Sequence, residues 1–229
     1  MLLNETNSMI GESMKKCCII SAGDVNLTLL EKKKDGYDYF IAADAGYEKA
    51  LKANITPDLV VGDFDSLSQP SLISTFNAEK SDVPQFIRFP IEKDYSDTHL
   101  ALEEGIKKGY TNFDVYGALG GDRFSHSIAN LQTLCTMKSN GISVTLLGTK
   151  EAVFLLQNET LSLTPPIGST FSVFSLSDRT KNVTIKGAKY PLENTILNNS
   201  FPLGVSNQTT DDTIHISVGD GFLLVILEF

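Results

Sequence analysis

Short apolar runs alternate with helix-like segments over roughly the first 150 residues of the chain. Six of these runs have the length of a strand, and they cover residues 16–21, 39–43, 59–61, 85–89, 112–116 and 143–147. Strands that alternate with helices build a mostly parallel sheet that is covered on both faces. The pattern therefore predicts an α/β domain over residues 15–148.

Helical spacing appears at Tyr47, Ala50 and Leu51 and in two longer segments of this part of the chain. Residues 98–108 form the first, with Ser96 placed to cap the helix and Asp97 in its first turn. The second follows a glycine-rich turn, GALGG, at residues 117–121. The spacing predicts that its buried face consists of Ile128, Leu131 and Cys135.

The pattern changes beyond about residue 150, where no helical period of useful length appears. Short β-like runs separated by Gly, Pro and Asn cover residues 152–156, 170–176, 183–185, 213–218 and 222–228. This pattern is typical of an antiparallel sandwich or barrel. We predict a C-terminal antiparallel β-sandwich domain over residues 149–229. The first 14 residues are polar and predict a disordered lead-in.

Charge and composition exclude several classes of partner. The net charge is −9, from 28 acidic and 19 basic residues, which argues against nucleic acid because phosphate backbones require a cationic surface. No apolar run approaches the ~20 residues of a membrane helix, so we expect no membrane partner. The odd count of three cysteines, two of them adjacent in an apolar run, predicts reduced thiols and a cytoplasmic protein.

Carboxylates follow several of the predicted strands. Asp44 comes directly after the second strand, Asp63 and Asp65 come after the third, and Asp97 follows the fourth at a short distance. Ligands of open parallel sheets bind beyond the carboxyl ends of the strands, so topology brings these acids to one edge. The cluster predicts a Mg²⁺ site that is shared with substrate phosphates. The alternative is that acids in turns cap helices or are simply solvated.

The GALGG turn and the helix after it form a second candidate site. Glycines let backbone N–H groups approach phosphate, and Arg123 offers a bidentate donor. His126 could contact phosphate or base, or it could be a structural hydrogen-bonding residue. Asn130 could contact a ligand or be an internally satisfied polar group. The chain has no P-loop and no G-x-G-x-x-G. Its three histidines are scattered and no C-x-x-C occurs, so zinc is not expected.

A set of short motifs occurs in an order that resembles the thiamine pyrophosphokinase (thiamin diphosphokinase) family. The motifs are AADAG at 42–46, PDLVVGDFDSL at 57–67, KDYSDTHLAL at 93–102, GALGGDRFSHSIANL at 117–131, GAKYPLE at 187–193 and GVSN at 204–207. The resemblance runs from about residue 17 to the C-terminus. It implies an N-terminal α/β domain and a C-terminal β-sandwich, in agreement with the hydrophobic pattern.

The resemblance also implies a reaction and roles for particular residues. Such an enzyme transfers the pyrophosphoryl group of ATP to the hydroxyethyl oxygen of thiamine, giving thiamine diphosphate and AMP, and it acts as a homodimer. Asp63, Asp65 and Asp97 would hold Mg²⁺. Asp44 would lie beside the metal and the substrate, so that Asp44, Asp65 and Asp97 form the expected catalytic set.

The remaining motif residues would bind the two substrates. Arg123 and His126 would face the nucleotide phosphates, and Gly46 and Asn130 belong to the same binding set. Ser206 and Asn207 are the expected contacts of thiamine, which binds near the subunit interface. Without the resemblance, however, GAKYPLE and GVSN could be only turns, in which glycine provides positive φ and proline ends strands.

One motif departs from the family pattern. The family run is G-G-R-x-D-H, whereas this chain has GGDRFSH, with Ser125 at the place of an expected aspartate. Serine cannot act as a carboxylate base, so Asp122 or Asp97 would have to take that part, or activity is reduced. Two alternatives stay open: a catalytically impaired thiamine-binding homologue, and a nucleotide-sugar transferase that uses an Asp-x-Asp metal site.

Overall fold

The computed structural model describes residues 15–64, 84–90, 92, 95–121 and 124–229. These residues form two compact units, which divide between Thr149 and Lys150. The predicted lead-in, residues 1–14, lies outside the described residues. No helix in these ranges has the length and apolar character needed to cross a membrane.

The first unit is built around a six-stranded sheet. Its elements are β1 (Lys16–Ile20), α1 (Leu27–Lys33), a 3₁₀ helix (Lys34–Gly36), β2 (Tyr39–Ala43), α2 (Gly46–Lys52), β3 (Leu59–Gly62), β4 (Gln85–Arg88), α3 (Asp97–Lys107), β5 (Asn112–Tyr116), α4 (Phe124–Ser139) and β6 (Ser143–Leu147). The strand order is β6-β5-β1-β2-β3-β4, and every neighbouring pair is parallel.

Burial explains why the strands of this sheet are continuous apolar runs. Residues 17–20 of β1 and residues 59–61 of β3 are completely buried. A parallel sheet with both faces covered leaves no exposed face to select alternating polar residues. Because all six strands are parallel, their carboxyl ends lie at one edge of the sheet. The segments that follow these ends carry the candidate site.

The buried face of α4 differs from the prediction. We expected Ile128 to be buried with Leu131 and Cys135, but its side chain is 42% exposed. The buried residues are instead Ser127, Asn130, Leu134 and Met137. The predicted face is wrong because two polar residues of this helix turn inward to form hydrogen bonds with the glycine-rich turn.

The second unit consists of two antiparallel sheets. Its strands are β7 (Glu151–Leu156), β8 (Glu159–Leu163), β9 (Thr170–Ser175), β10 (Arg179–Lys186), β11 (Leu192–Asn198), β12 (Gly204–Gln208), β13 (Ile214–Val218) and β14 (Leu223–Glu228). One sheet has the order β12-β9-β14-β7 and the other β11-β10-β13-β8. A parallel α/β unit followed by antiparallel β structure confirms the predicted fold class.

Candidate active site

Asp44 lies at the carboxyl end of β2, where its backbone is fixed from both sides. Its N–H donates to the carbonyl of Val61 at 2.8 Å, and its own carbonyl accepts from the N–H of Tyr47 at 3.1 Å. The residue has a left-handed backbone with φ of 50°. It is only 7% exposed. The fold therefore places a carboxylate in a largely buried position at the predicted edge.

The segment after β3 brings Asp63 to the neighbouring position. β2 and β3 pair in register, with Ala43 opposite Val61. Gly62, the last residue of β3, lies so close to Asp44 that a Cβ there would be 3.2 Å from the Asp44 Cα. Asp63 follows directly and is half-buried. Glycine favours this approach, because a Cβ would press on the Asp44 backbone and the φ of 155° is strained for other residues.

Phe64 anchors the turn that carries Asp63. Its ring lies 5.7 Å from that of Phe86 on β4. Both rings pack against a buried cluster of Ala42, Tyr47 and Val60. Because the aromatic side chain is held in apolar surroundings, the acidic residue before it is fixed at the edge of the sheet.

Asp97 reaches the same edge from the start of α3. The hydroxyl of Ser96 caps this helix and accepts from the N–H of His99 at 3.2 Å. The buried Thr98 hydroxyl lies 2.9 Å from that of Ser21, which follows β1. These contacts fix the first turn of α3 beside the end of β1, and Asp97 is half-buried there.

The chemistry of this donor set suits a hard cation. Asp44, Asp63 and Asp97 offer carboxylate oxygens, which Mg²⁺ prefers. The third predicted ligand, Asp65, lies outside the described residues. In the parts of the chain that the structure describes, which include Asp44, Asp63 and Asp97, no group of three or more His, Cys, Asp or Glu side chains is placed to hold a metal ion. The complete three-carboxylate set therefore stays a prediction.

The glycine-rich turn after β5 is locked to the segment after β1. The N–H of Gly23 donates to the carbonyl of Gly117 at 2.9 Å, and a Cβ at Gly117 would overlap the carbonyl of Ser21. Gly117 has a left-handed φ of 70°, which favours glycine. Asn130 is buried, and its Nδ2 donates to the carbonyl of Ala118 at 2.7 Å. The structure thus shows Asn130 in the internal role that the sequence left open.

The other residues of the predicted nucleotide site differ in how exposed they are. His126 and Ser125 are exposed in the first turn of α4. Gly46 begins α2, and a Cβ there would overlap the carbonyl of Ile20, so glycine is needed for close packing. Arg123 and Asp122 lie outside the described residues. A ligand can reach His126, whereas Gly46 is buried.

The structure also contains a buried polar cluster that the sequence motifs did not predict. The hydroxyl of Tyr37 donates to Asp114 Oδ2 at 2.7 Å and lies 3.0 Å from the Tyr116 hydroxyl. Lys16 Nζ is 2.9 Å from Asp114 Oδ1. Burial raises the pKa of Tyr116 well above its ordinary value, so its hydroxyl stays protonated. The single acid within the apolar run NFDVY was the available signal. The cluster joins β1 to β5, the strands that carry the interlocked loops.

In the second unit, Asn207 connects the GAKYP turn to β12. Its Oδ1 accepts from the N–H groups of Tyr190 and Gln208 at 3.0 and 2.9 Å, and its Nδ2 donates to the carbonyl of Tyr190 at 2.7 Å. Ser206 is exposed, with a left-handed φ of 58°, in a bulge of β12. The two neighbours therefore differ: Asn207 is buried in internal contacts, and the Ser206 hydroxyl faces solvent.

The α/β unit with acids at the carboxyl edge of its parallel sheet, followed by an antiparallel β unit, has the organisation of a two-domain transferase. Residues 30–146 match the family described as "Thiamin pyrophosphokinase, catalytic domain". Residues 143–223 match "Thiamin pyrophosphokinase, vitamin B1 binding domain". The chain belongs to the thiamin pyrophosphokinase family, whose members are transferases that make thiamine diphosphate.

Individual proteins agree with this assignment. A thiamine pyrophosphokinase of Bacillus subtilis is 26% identical over 215 residues, which are 93% of this chain and 98% of that protein. A crystal structure of thiamine pyrophosphokinase from Bacillus subtilis has a TM-score of 0.80 at 23% identity, covering 93% of this chain and 99% of that one. Thiamin pyrophosphokinase from Candida albicans has a TM-score of 0.75 at 18% identity, covering 94% and 90%. The structural likenesses show a shared fold.

Proposed function

We propose that this chain transfers the pyrophosphoryl group of ATP to the hydroxyethyl oxygen of thiamine, giving thiamine diphosphate and AMP. The observation that carries the proposal is the arrival of Asp44, Asp63 and Asp97 from three different elements at one edge of the parallel sheet. Ligands of open α/β sheets bind at this edge. Family membership supports thiamine as the acceptor. Neither the nucleotide-sugar transferase nor the impaired homologue is favoured by the comparisons.

Charge makes a divalent cation necessary at such a site. Carboxylates and a triphosphate repel each other, and we propose that Asp63, Asp65 and Asp97 hold Mg²⁺ with Asp44 beside them. The all-oxygen donor set fits this ion. When bound, Mg²⁺ neutralises negative charge on the phosphate oxygens. The remaining contribution of the protein is to position the two substrates.

Arg123 and His126 are proposed to face the nucleotide phosphates. His126 is accessible in the first turn of α4. Asn130 and Gly46 support the same site through the contacts of the glycine turn and of α2. The thiamine hydroxyl must lose a proton as it attacks, and a carboxylate can orient it or accept that proton. Because residue 125 is serine, we propose Asp97 or Asp44 for this part, with Asp122 as the alternative.

Thiamine is proposed to contact Ser206 in a homodimer. An exposed apolar group lies beside this residue: Phe201 is 64% exposed, Leu203 52% and Val205 47%. Exposed apolar patches of this kind mark interaction surfaces.

Leu203→Asp should weaken the dimer, whereas Leu51→Asp on α2 of the first unit should not. Sedimentation equilibrium tests this, and a wild-type monomer would contradict the dimer. The acidic chain and its thiols still predict a cytoplasmic protein.

A product assay tests the reaction. ATP, thiamine and Mg²⁺ are incubated with the enzyme, and nucleotides and thiamine phosphates are separated by chromatography. We expect AMP and thiamine diphosphate to accumulate in equal amounts. ADP as the nucleotide product, or no turnover that depends on thiamine, would contradict the proposal.

A further inference from the structure

The N–H groups of the glycine-rich turn are already occupied by side chains of this protein. The N–H of Gly120 donates to the hydroxyl of Ser127 at 3.2 Å. The N–H of Gly121 donates to Asp24 Oδ2, also at 3.2 Å. Backbone N–H groups in turns of this kind bind anions. At Gly121, a carboxylate oxygen therefore takes the position that a phosphate oxygen would take.

The two occupants differ in how easily they can leave. Ser127 is 9% exposed and belongs to the buried face of α4. Asp24 is exposed, and it lies in the segment after β1. The contact of Gly23 with Gly117 fixes the backbone beside it. A ligand could therefore displace the Asp24 carboxylate by a side-chain rotation, without separating the two loops.

A lysine accompanies this carboxylate. Lys49 on α2 donates through Nζ to the carbonyls of Ala22 and Gly23, next to Asp24. Burial lowers the pKa of Lys49, and the negative charge of Asp24 raises it. A cation is thus held against the loop whether or not the carboxylate is in contact with the turn.

We propose that Asp24 is an internal competitor of the nucleotide. Its carboxylate satisfies the N–H of Gly121 in the free enzyme and must leave when an ATP phosphate binds the turn, so it weakens the affinity for ATP. Lys49 then remains as a positive charge beside the segment that carries Asp24. This inference rests on the proposed use of ATP, because the ligand it concerns is the triphosphate.

Two variants separate this role from a supporting one. Asp24→Asn keeps a hydrogen-bond acceptor but removes the charge, and Asp24→Ala removes both. If Asp24 competes with phosphate, both variants bind ATP more tightly, by about three- to fivefold, which is the size typical of one exposed charge. If Asp24 only supports the turn, Asp24→Ala binds ATP more weakly than the wild type does.

The experiment is calorimetric titration of the full-length enzyme with ATP in the presence of Mg²⁺. Asp35→Asn, in the 3₁₀ helix before β2, changes the net charge equally at the opposite edge of the sheet and should leave the dissociation constant unchanged. Steady-state kinetics should show a lower KM for ATP and an unchanged KM for thiamine in both Asp24 variants. Equal or weaker ATP binding by both would overturn the inference while leaving the proposed reaction intact. No ATP binding by the wild type would overturn both.

Discussion

The backbones of Gly62 and Asp44 lie in close contact. A Cβ added at position 62 would be only 3.2 Å from the Cα of Asp44. This relationship joins the ends of β2 and β3. It also places Asp63, the residue after Gly62, directly after this contact. The acidic edge thus depends on a residue that has no side chain.

Gly62→Ala should damage both stability and activity. Its φ of 155° is rarely adopted by other residues, and the new methyl group would press on the Asp44 backbone. We expect a loss of about 1–3 kcal/mol in the free energy of unfolding, as for other strained or overpacked sites. Turnover should fall more than the loss of folded protein explains. Urea unfolding and steady-state kinetics measure the two effects.

Two other glycines provide controls for this variant. Gly109 has a φ of 90° and open space around it, so Gly109→Ala isolates the cost of backbone strain. Gly36 has neither strain nor close neighbours, and Gly36→Ala should be almost neutral. Activity in Gly62→Ala equal to that of Gly109→Ala would mean that contact with Asp44 has no role in catalysis.

Asn207→Ala should mainly destabilise the second unit. Asn207 is 5% exposed, and the substitution removes the amide that bonds the N–H groups of Tyr190 and Gln208 and the carbonyl of Tyr190. Each of these hydrogen bonds contributes about 0.5–1.5 kcal/mol. The melting temperature should therefore fall clearly. A change of 1 °C corresponds to roughly a few tenths of a kcal/mol. A melting temperature within 1 °C of the wild type would contradict the structural role of Asn207.

Ser206→Ala is the matched variant for thiamine binding. The Ser206 hydroxyl faces solvent, and the hydrogen bond from its N–H to Ser172 at 3.0 Å is retained in alanine. We expect almost no change in unfolding temperature and a higher KM for thiamine, by about three- to tenfold for one lost hydrogen bond. The KM for ATP should not move. An unchanged KM for thiamine would remove Ser206 from the binding set.

Ser125→Asp tests whether the natural site lacks its base. A general base contributes roughly 10²- to 10⁴-fold to a rate. If Asp97 or Asp44 already acts as the general base, restoring the family carboxylate at position 125 should change kcat by less than about tenfold. A gain of two orders of magnitude or more would instead support the impaired thiamine-binding homologue. Ser143→Asp, at an exposed position on β6, controls for the added charge.

The three free cysteines should differ in reactivity. Burial raises the pKa of Cys17 and Cys18 on β1, and both side chains are completely buried. Cys135 on α4 is half-buried, and its pKa is raised by the same cause. Because the thiolate is the reactive form, iodoacetamide at pH 8 should modify Cys135 first. Peptide mapping that finds Cys17 modified as fast as Cys135 would contradict the burial of β1.

The sequence predicted the parallel strands well because apolar runs such as YFIAA are buried on both faces. It did not predict β8, β11 or β12. β11 contains Asn194 at a φ of 45° and irregular pairing, and β12 is bulged at Ser206, so neither alternates cleanly. The hydrophobic pattern predicts a strand only where burial follows a regular pattern along it.

In the candidate site too, the sequence predicts only the features that do not depend on contacts between distant residues. Motif positions predicted Asp44, Asp63 and Asp97 as site residues, because the positions of these residues along the chain follow from the topology of the sheet. The roles of Asp24 and Ser127 depend on hydrogen bonds to backbone groups about 97 and 7 residues away. No spacing rule predicts such contacts. The inward turn of Asn130 shifted the buried face of α4 away from Ile128 for the same reason, while Leu131 and Cys135 stay half-buried.

Metal binding at the acidic edge is the central claim, and water-proton relaxation with Mn²⁺ in place of Mg²⁺ tests it most directly. Enzyme is titrated into Mn²⁺–ATP, and binding to the protein enhances relaxation. We predict tight binding by the wild type and by Asp35→Asn, and at least about tenfold weaker binding by Asp63→Asn, because a ligand carboxylate has been lost. Equal affinity in Asp63→Asn and the wild type would contradict the account.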